Sequence, residues 1–201
     1  MRNRQILYLF ILISLTFNIS AQTNADKTDI YKIVLLDQLD TLTKVGLTPI
    51  CILDSTCEVG YQREMPDSVF EKYFKIGKND YAAKSKVRIS FIDSSGQFEK
   101  LKDNLLIDRR IFVIKTSMFK EIFSPCINIM SNINVCWDKF QNKFKAKGYC
   151  KISKPYFYNS ETALVYCYYL VGPLTGPGYV FLIIKENNIW KIKSRICQWI
   201  A

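Results

Sequence analysis

The first twenty-one residues of the 201-residue chain have the pattern of a segment that is removed before folding. Two arginines precede an apolar run of twelve residues from Ile6 to Phe17, and a polar stretch then leads to the small residue Ala21. A positive start, an apolar centre of about 7 to 15 residues and a small residue at the cut are the three parts of a secretory signal peptide. We therefore expect an exported protein, periplasmic or secreted, whose mature chain begins at Gln22.

The remaining segment, residues 22–201, is expected to form a single α+β domain. A chain of this length buries roughly 70% of its unfolded surface, so it needs no metal or disulfide to fold. No cofactor is predicted. Its later apolar runs are shorter than the ~18 to 20 residues that cross a bilayer, so no transmembrane segment is expected after cleavage. Neither an internal repeat nor a low-complexity linker divides the segment.

Helices are expected mainly in the N-terminal half. Apolar residues at three- and four-residue spacing predict a first helix to about Lys44, and a second helix is indicated from Met65 onwards. Thr116 or Ser117 is placed to cap a third helix. Apolar runs and alternation predict short strands before that helix, over residues 49–53, 86–92 and 110–115.

The C-terminal third predicts an amphipathic helix followed by a four-stranded antiparallel meander. Trp137, Phe140 and Phe144 recur on one helical face, and Gly148 is expected to end the helix. Four strand-like segments separated by turn residues follow, over residues 149–154, 163–170, 179–185 and 189–199.

Positive charge is concentrated in the same third. Residues 22–136 carry a net charge of +1, whereas residues 137–201 carry +7. Strict alternation on the last strand and four-residue spacing on the helix predict a surface for an anionic ligand, formed by Lys139, Lys143, Lys147, Lys191, Lys193 and Arg195. Such a surface indicates an anionic glycan, lipopolysaccharide or another envelope protein as partner, and nucleic acid is not expected. Solvated lysines are the alternative explanation of the same residues.

Seven cysteines remain after the signal, and an exported location permits disulfides. The odd count leaves at least one thiol unpaired, and the sequence does not select among the pairings. Cys51 with Cys57 would close a short loop, and Cys150 with Cys167 would meet across a hairpin. Because no Cys-x-x-Cys motif occurs, structural bridges or buried thiols are favoured over a redox role.

No catalytic motif is evident. The chain lacks histidine, which excludes serine–histidine and cysteine–histidine nucleophile pairs and histidine-ligated metal sites. Ser117-x-x-Lys120 fits a nucleophile motif, but its usual companions Ser-Asp-Asn and Lys-Thr-Gly are missing. A non-enzymatic envelope or secreted domain, with a binding or structural role, is therefore the favoured hypothesis. A small glycan hydrolase that uses two carboxylates is the alternative, because such groups meet only in three dimensions.

Short motifs mark the last 65 residues. They include Trp137-x-x-Phe140-x-x-x-Phe144, Ser153-x-Pro155-x-Phe157, Gly172-x-Leu174-x-Gly176-x-Gly178, Asn188-x-Trp190-Lys191-Ile192 and Trp199-Ile200. In these motifs the chain resembles a family of uncharacterised exported proteins of Gram-negative bacteria. The resemblance implies export and no particular activity.

Overall fold

A mixed seven-stranded sheet forms the centre of the protein in the computed structural model. The structure describes residues 24–59, 64–96, 98–101, 108–127, 132–173 and 175–200. The predicted signal peptide, residues 1–21, lies outside these residues.

The strand order across the sheet is β2-β1-β3-β5-β6-β7, and β4 pairs with β5 beside this path. In chain order the strands are β1 (Ile50–Leu53), β2 (Ile111–Ile114), β3 (Gly148–Ile152), β4 (Tyr156–Phe157), β5 (Thr162–Leu170), β6 (Pro177–Glu186) and β7 (Ile189–Ile200). β1 is parallel to both of its neighbours, β2 and β3, and all other strand pairs are antiparallel.

Helices cover both faces of this sheet. They are α1 (residues 24–44), α2 (Asp67–Val69) with a π-helical continuation (Phe70–Phe74), α3 (Tyr81–Ser95), α4 (Thr116–Ile127) and α5 (Ile133–Phe144). None of the helices in the described part of the chain combines the length and apolar character that crossing a membrane requires.

The core divides into one cluster on the face covered by α1 and two on the opposite face. Ile30, Leu35 and Leu39 of α1 pack on strand residues such as Ile52 and Val165. On the opposite face, α4 and α5 pack over β1 and β3, whereas α2, the π-helix and α3 pack over β5 and β6. The two helical groups of that face are therefore separate, and the sheet is less covered between them.

The predicted architecture of a C-terminal helix and a four-stranded antiparallel meander is wrong. The C-terminal strands belong to one mixed sheet, because β3 pairs in parallel with β1 from the N-terminal half of the chain. A parallel pair joins segments that a long crossover separates, so no local alternation signals it. The coarser prediction of an α+β fold is confirmed.

The strand predicted over residues 86–92 is also wrong, since these residues lie in α3. The Asp80 side chain accepts a hydrogen bond from a backbone N–H in the first turn and thereby caps the helix. Val87 and Phe91, four residues apart, are buried, whereas Ile89 is 54% exposed. The buried positions thus follow the helical period, and the apparent alternation arises from an exposed isoleucine.

Gly148 does not end α5. The helix ends earlier, with Lys145 in the left-handed conformation at φ 52°. Gly148 is the first residue of β3, where a Cβ atom would overlap the backbone of Leu170 on β5. A glycine is required there because two strands approach closely.

Candidate functional site

A cleft of ≈ 490 Å³ opens on the face opposite α1, between the two helical groups. Its wall includes Ser55 and Thr56, which follow the end of β1, and Thr116, which begins α4 directly after β2. Since β1 and β2 are parallel, their carboxyl ends meet at one edge of the sheet. Open sheets commonly bind ligands in the crevice at this edge.

A chain of hydrogen bonds orders one wall of the cleft. The Asp54 carboxylate accepts hydrogen bonds at 2.8 Å from both the backbone N–H and the hydroxyl of Thr116. The Ser55 and Thr116 hydroxyl oxygens lie 2.7 Å apart. Because the Thr116 proton goes to Asp54, Ser55 donates to Thr116 and keeps its own lone pairs free. The wall therefore offers an acceptor to a ligand hydroxyl.

Two lysines also line the cleft, Lys120 from α4 and Lys151 from β3. Within the described ranges, no carboxylate lies within 4.0 Å of either ammonium group. Lys151 is half-buried, with its Nζ atom 5.3 Å from the centre of the Phe119 ring. Burial lowers the pKa of Lys151, and the nearby Lys120 charge lowers it further. Two positive charges that lack a carboxylate partner among the described residues thus face one cavity.

Tyr168 completes the polar lining from β5. It lies directly opposite Lys151 in the β3–β5 register, so the two side chains emerge on the same face of the sheet. Burial raises the pKa of the Tyr168 hydroxyl, which keeps it protonated and able to donate. Phe98, 66% exposed, adds an aromatic surface to the lining. The cleft therefore combines cations, a hydroxyl donor and aromatic rings.

The cleft cysteine is not a nucleophile. Cys57 is 7% exposed, and burial raises the pKa of its thiol to about 12. At neutral pH the thiol stays protonated, whereas the thiolate is the reactive form. Cys57 therefore contributes packing and shape to the cleft.

The structure does not place the predicted cations of β7 on one side. Leu182 and Ile183 are consecutive residues of β6, but their partners on β7 are two positions apart. Lys193 lies between these partners without a partner of its own in the β6–β7 register, so it forms a bulge. A bulge reverses the side-chain alternation beyond it. As a result Lys191 lies on the face opposite α1, and Arg195 lies on the α1 face.

Each of these three cations has a carboxylate partner. Lys191 and Lys193 lie 3.2 and 3.4 Å from the Glu186 carboxylate, and Arg195 lies 3.2 Å from that of Asp37. Part of the positive charge on β7 is thus balanced within the protein.

The predicted helix lysines form a separate set over another part of the sheet. Lys139 and Lys143 are exposed on α5, and Lys143 has the Glu121 carboxylate at 3.9 Å. Lys147 lies beyond the end of α5, and its backbone N–H donates to the carbonyl of Pro49. Because α5 covers β1 and β3, and β7 is the far edge strand, the two sets of cations do not form one surface.

The cysteines divide into one bridge and five free thiols. A disulfide joins Cys126 on α4 to Cys136 on α5, with Cα atoms 6.5 Å apart, a pair the sequence did not single out. The four cysteines considered for bridges are all free and buried, namely Cys51, Cys57, Cys150 and Cys167. Cys51 and Cys57 belong to different core clusters, whereas the sulfur atoms of Cys150 and Cys167 are in contact.

The described residues that line the cleft do not include a pair of carboxylates. Of the described residues that line it, Glu58 is the single carboxylate. A second groove, of ≈ 290 Å³ beside α3, contains Glu64 and Asp67, and Asp67 is paired with Lys84. The glycan-hydrolase alternative therefore stays a prediction.

Comparisons of the chain with protein-family models, with curated proteins and with solved structures found no significant match. The resemblance to exported proteins of Gram-negative bacteria accordingly stays a prediction.

No local pattern of residues predicts the cleft, because its members are far apart along the chain. Ser55, Thr116 and Lys151 come from three segments that only the parallel pairing of β1 with β2 and β3 unites. One signal was present: polar residues directly follow two short apolar segments, after Leu53 and after Ile114. With parallel strands assumed, these residues would have been placed at one edge.

Proposed function

We propose that the protein is an exported, non-enzymatic binding domain whose cleft holds the anionic group of a sugar or glycan. The observation that carries the proposal is the pair Lys120 and Lys151, which face one cavity without a carboxylate partner in the described residues. A carboxylate, sulfate or phosphate group held between two ammonium groups is attracted to them more strongly in a partly buried site than in water.

The remaining lining supports a sugar as the body of the ligand. Tyr168 donates a hydrogen bond, Ser55 accepts one, and Glu58 accepts from ligand hydroxyl groups. The exposed ring of Phe98 offers an apolar face of the kind on which sugar rings stack. Export in this proposal rests on the signal pattern of residues 1–21.

Binding measurements on the purified protein test the proposal. Sulfate serves as a bare anion, glucuronate as an anionic sugar and glucose as a neutral sugar, each titrated at low and high salt by calorimetry. We expect glucuronate to bind more tightly than sulfate, glucose to bind most weakly, and salt to weaken both anions.

Two double variants with the same charge change separate the cleft from the rest of the surface. Lys120→Gln with Lys151→Gln is expected to weaken binding of glucuronate at least about tenfold, which corresponds to about 1.4 kcal/mol. Lys191→Gln with Lys193→Gln is the matched control and is expected to leave binding unchanged. Equal losses in both variants would show a general charge effect and contradict the cleft proposal.

A further inference from the structure

Two thiols meet in the core behind the cleft. Cys150 on β3 and Cys167 on β5 are both fully buried, with their Sγ atoms 3.2 Å apart. They occupy a diagonal position across the strand pair, on either side of the directly opposed Lys151 and Tyr168. Because side chains alternate along a strand, the thiols point to the α1 face while Lys151 and Tyr168 point to the cleft.

We propose that Cys150 and Cys167 form a disulfide that ties β3 to β5 when the chain folds in an oxidising medium. The sulfur atoms lie 3.2 Å apart and need to approach to about 2.05 Å for the bond. The cross-link would join the two strands that carry Lys151 and Tyr168.

The other free thiols are placed differently. Cys51 packs with α4 and α5, and Cys57 packs with the π-helix and α3, both on the face opposite α1. Cys197 lies on β7, where its thiol is directed at the carbonyl of Trp199. Of the five free thiols, Cys150 and Cys167 are the pair with sulfur atoms in contact.

In a glutathione buffer the bond forms by two exchange steps. The Cys150 thiolate attacks one sulfur of oxidised glutathione, and a glutathione thiolate leaves. The Cys167 thiolate then attacks the Cys150 sulfur of the mixed disulfide, and the second glutathione thiolate leaves. The two protein thiols lose two protons and two electrons, and one oxidised glutathione becomes two reduced molecules.

Burial determines when the reaction takes place. The pKa of Cys167 is raised well above its ordinary value by burial, so the folded protein holds little of the reactive thiolate. Both thiols are also shielded from glutathione in the native state. The cross-link is therefore expected to form while the chain folds, and slowly or not at all in protein that has already folded reduced.

Peptide mapping after refolding tests the proposal. The full chain is reduced in denaturant and refolded in a glutathione redox buffer. It is then denatured, alkylated without reduction and digested with trypsin. Cys150 and Cys167 fall on separate peptides, residues 148–151 and 152–185, so the expected product is a linked pair of these two peptides. Three thiols should then be alkylated, whereas five would be alkylated if Cys150 and Cys167 had stayed reduced.

An internal control makes a negative result decisive. Cys126 and Cys136 both lie on the peptide of residues 121–139, so an intact bridge within that peptide shows that oxidative folding worked. If that bridge is present and the peptides of residues 148–151 and 152–185 are recovered unlinked and alkylated, the proposal is overturned. A disulfide between the peptide of residues 148–151 and the peptide that contains Cys57 would also overturn it. Cys197→Ser should keep the link, and Cys167→Ser should leave Cys150 alkylated.

Discussion

Lys151 on β3 and Tyr168 on β5 lie directly opposite each other, and both side chains line the cleft. The pair links the sheet to the candidate site: the antiparallel ladder sets their spacing, and the gap between two helical groups leaves both side chains partly exposed. A half-buried lysine without a carboxylate partner among the described residues costs desolvation energy that packing does not return. Such an arrangement is expected at a binding site and not at a position selected for stability.

The first prediction is that Lys151→Met stabilises the free protein and weakens anion binding. The lowered pKa means that the folded state disfavours the charged amine, a penalty that is fully present below the folded pKa and disappears as the pH rises through the unfolded pKa. Urea unfolding at pH 7 should show a gain of roughly 0.5 to 1 kcal/mol. Lys139→Met, at an exposed lysine of α5, should change stability by less than about 0.5 kcal/mol. A loss of stability in Lys151→Met would contradict this interpretation.

The second prediction concerns the pH dependence of sulfate binding, which adds no titrating group of its own near neutral pH. Sulfate binds the charged form of Lys151, so affinity should be full at lower pH and fall as pH rises through the lowered pKa, below the ordinary 10.5. In Lys151→Arg the charge persists, so the decline should move to higher pH. Calorimetric titrations across this range give both profiles. Identical profiles would mean that Lys151 does not contact the anion.

The third prediction is that Asp54→Ala destabilises the protein by about 1 to 2 kcal/mol, because it removes the acceptor of two hydrogen bonds at the start of α4. Asp138→Ala, at an exposed position on α5, is the control and should change stability by less than about 0.5 kcal/mol. Urea unfolding measures both. Equal effects would show that the Asp54–Thr116 contact contributes little.

The fourth prediction is that Gly148→Ala costs about 1 to 3 kcal/mol, since the added methyl group would overlap the backbone of Leu170 and push β3 from β5. Gly77→Ala meets nothing within 4 Å and is the matched control. Thermal unfolding of the two variants should therefore differ clearly in midpoint. Similar midpoints would mean that β3 shifts at no cost.

The fifth prediction concerns the N-terminus. If residues 1–21 are a signal peptide, the full chain expressed in a Gram-negative host should be recovered outside the cytoplasm with Gln22 as its first residue. Mass spectrometry of the intact protein in each cell fraction measures this. Full-length chain confined to the cytoplasm would contradict export.

Several local elements were readable from the sequence because they depend on neighbours along the chain. Apolar spacing indicated the helix that ends at residue 44, and a buried apolar run indicated β1. Local alternation is misleading over residues 86–92, where an exposed Ile89 imitates a strand pattern inside α3. Local alternation is also misleading beyond Lys193, where a bulge reverses the pattern that predicts Arg195 on the same side as Lys191.

By itself the sequence determined the α+β class, the positions of many helices and strands and the concentration of positive charge in the C-terminal third, since each follows from composition or short-range period. The tertiary structure alone decided that β1 joins β3 in parallel, that Cys126 pairs with Cys136, and that Lys120, Lys151 and Tyr168 share a cleft. These contacts join segments far apart along the chain. Their partners are selected by how whole helices and strands pack, which no local pattern of residues encodes.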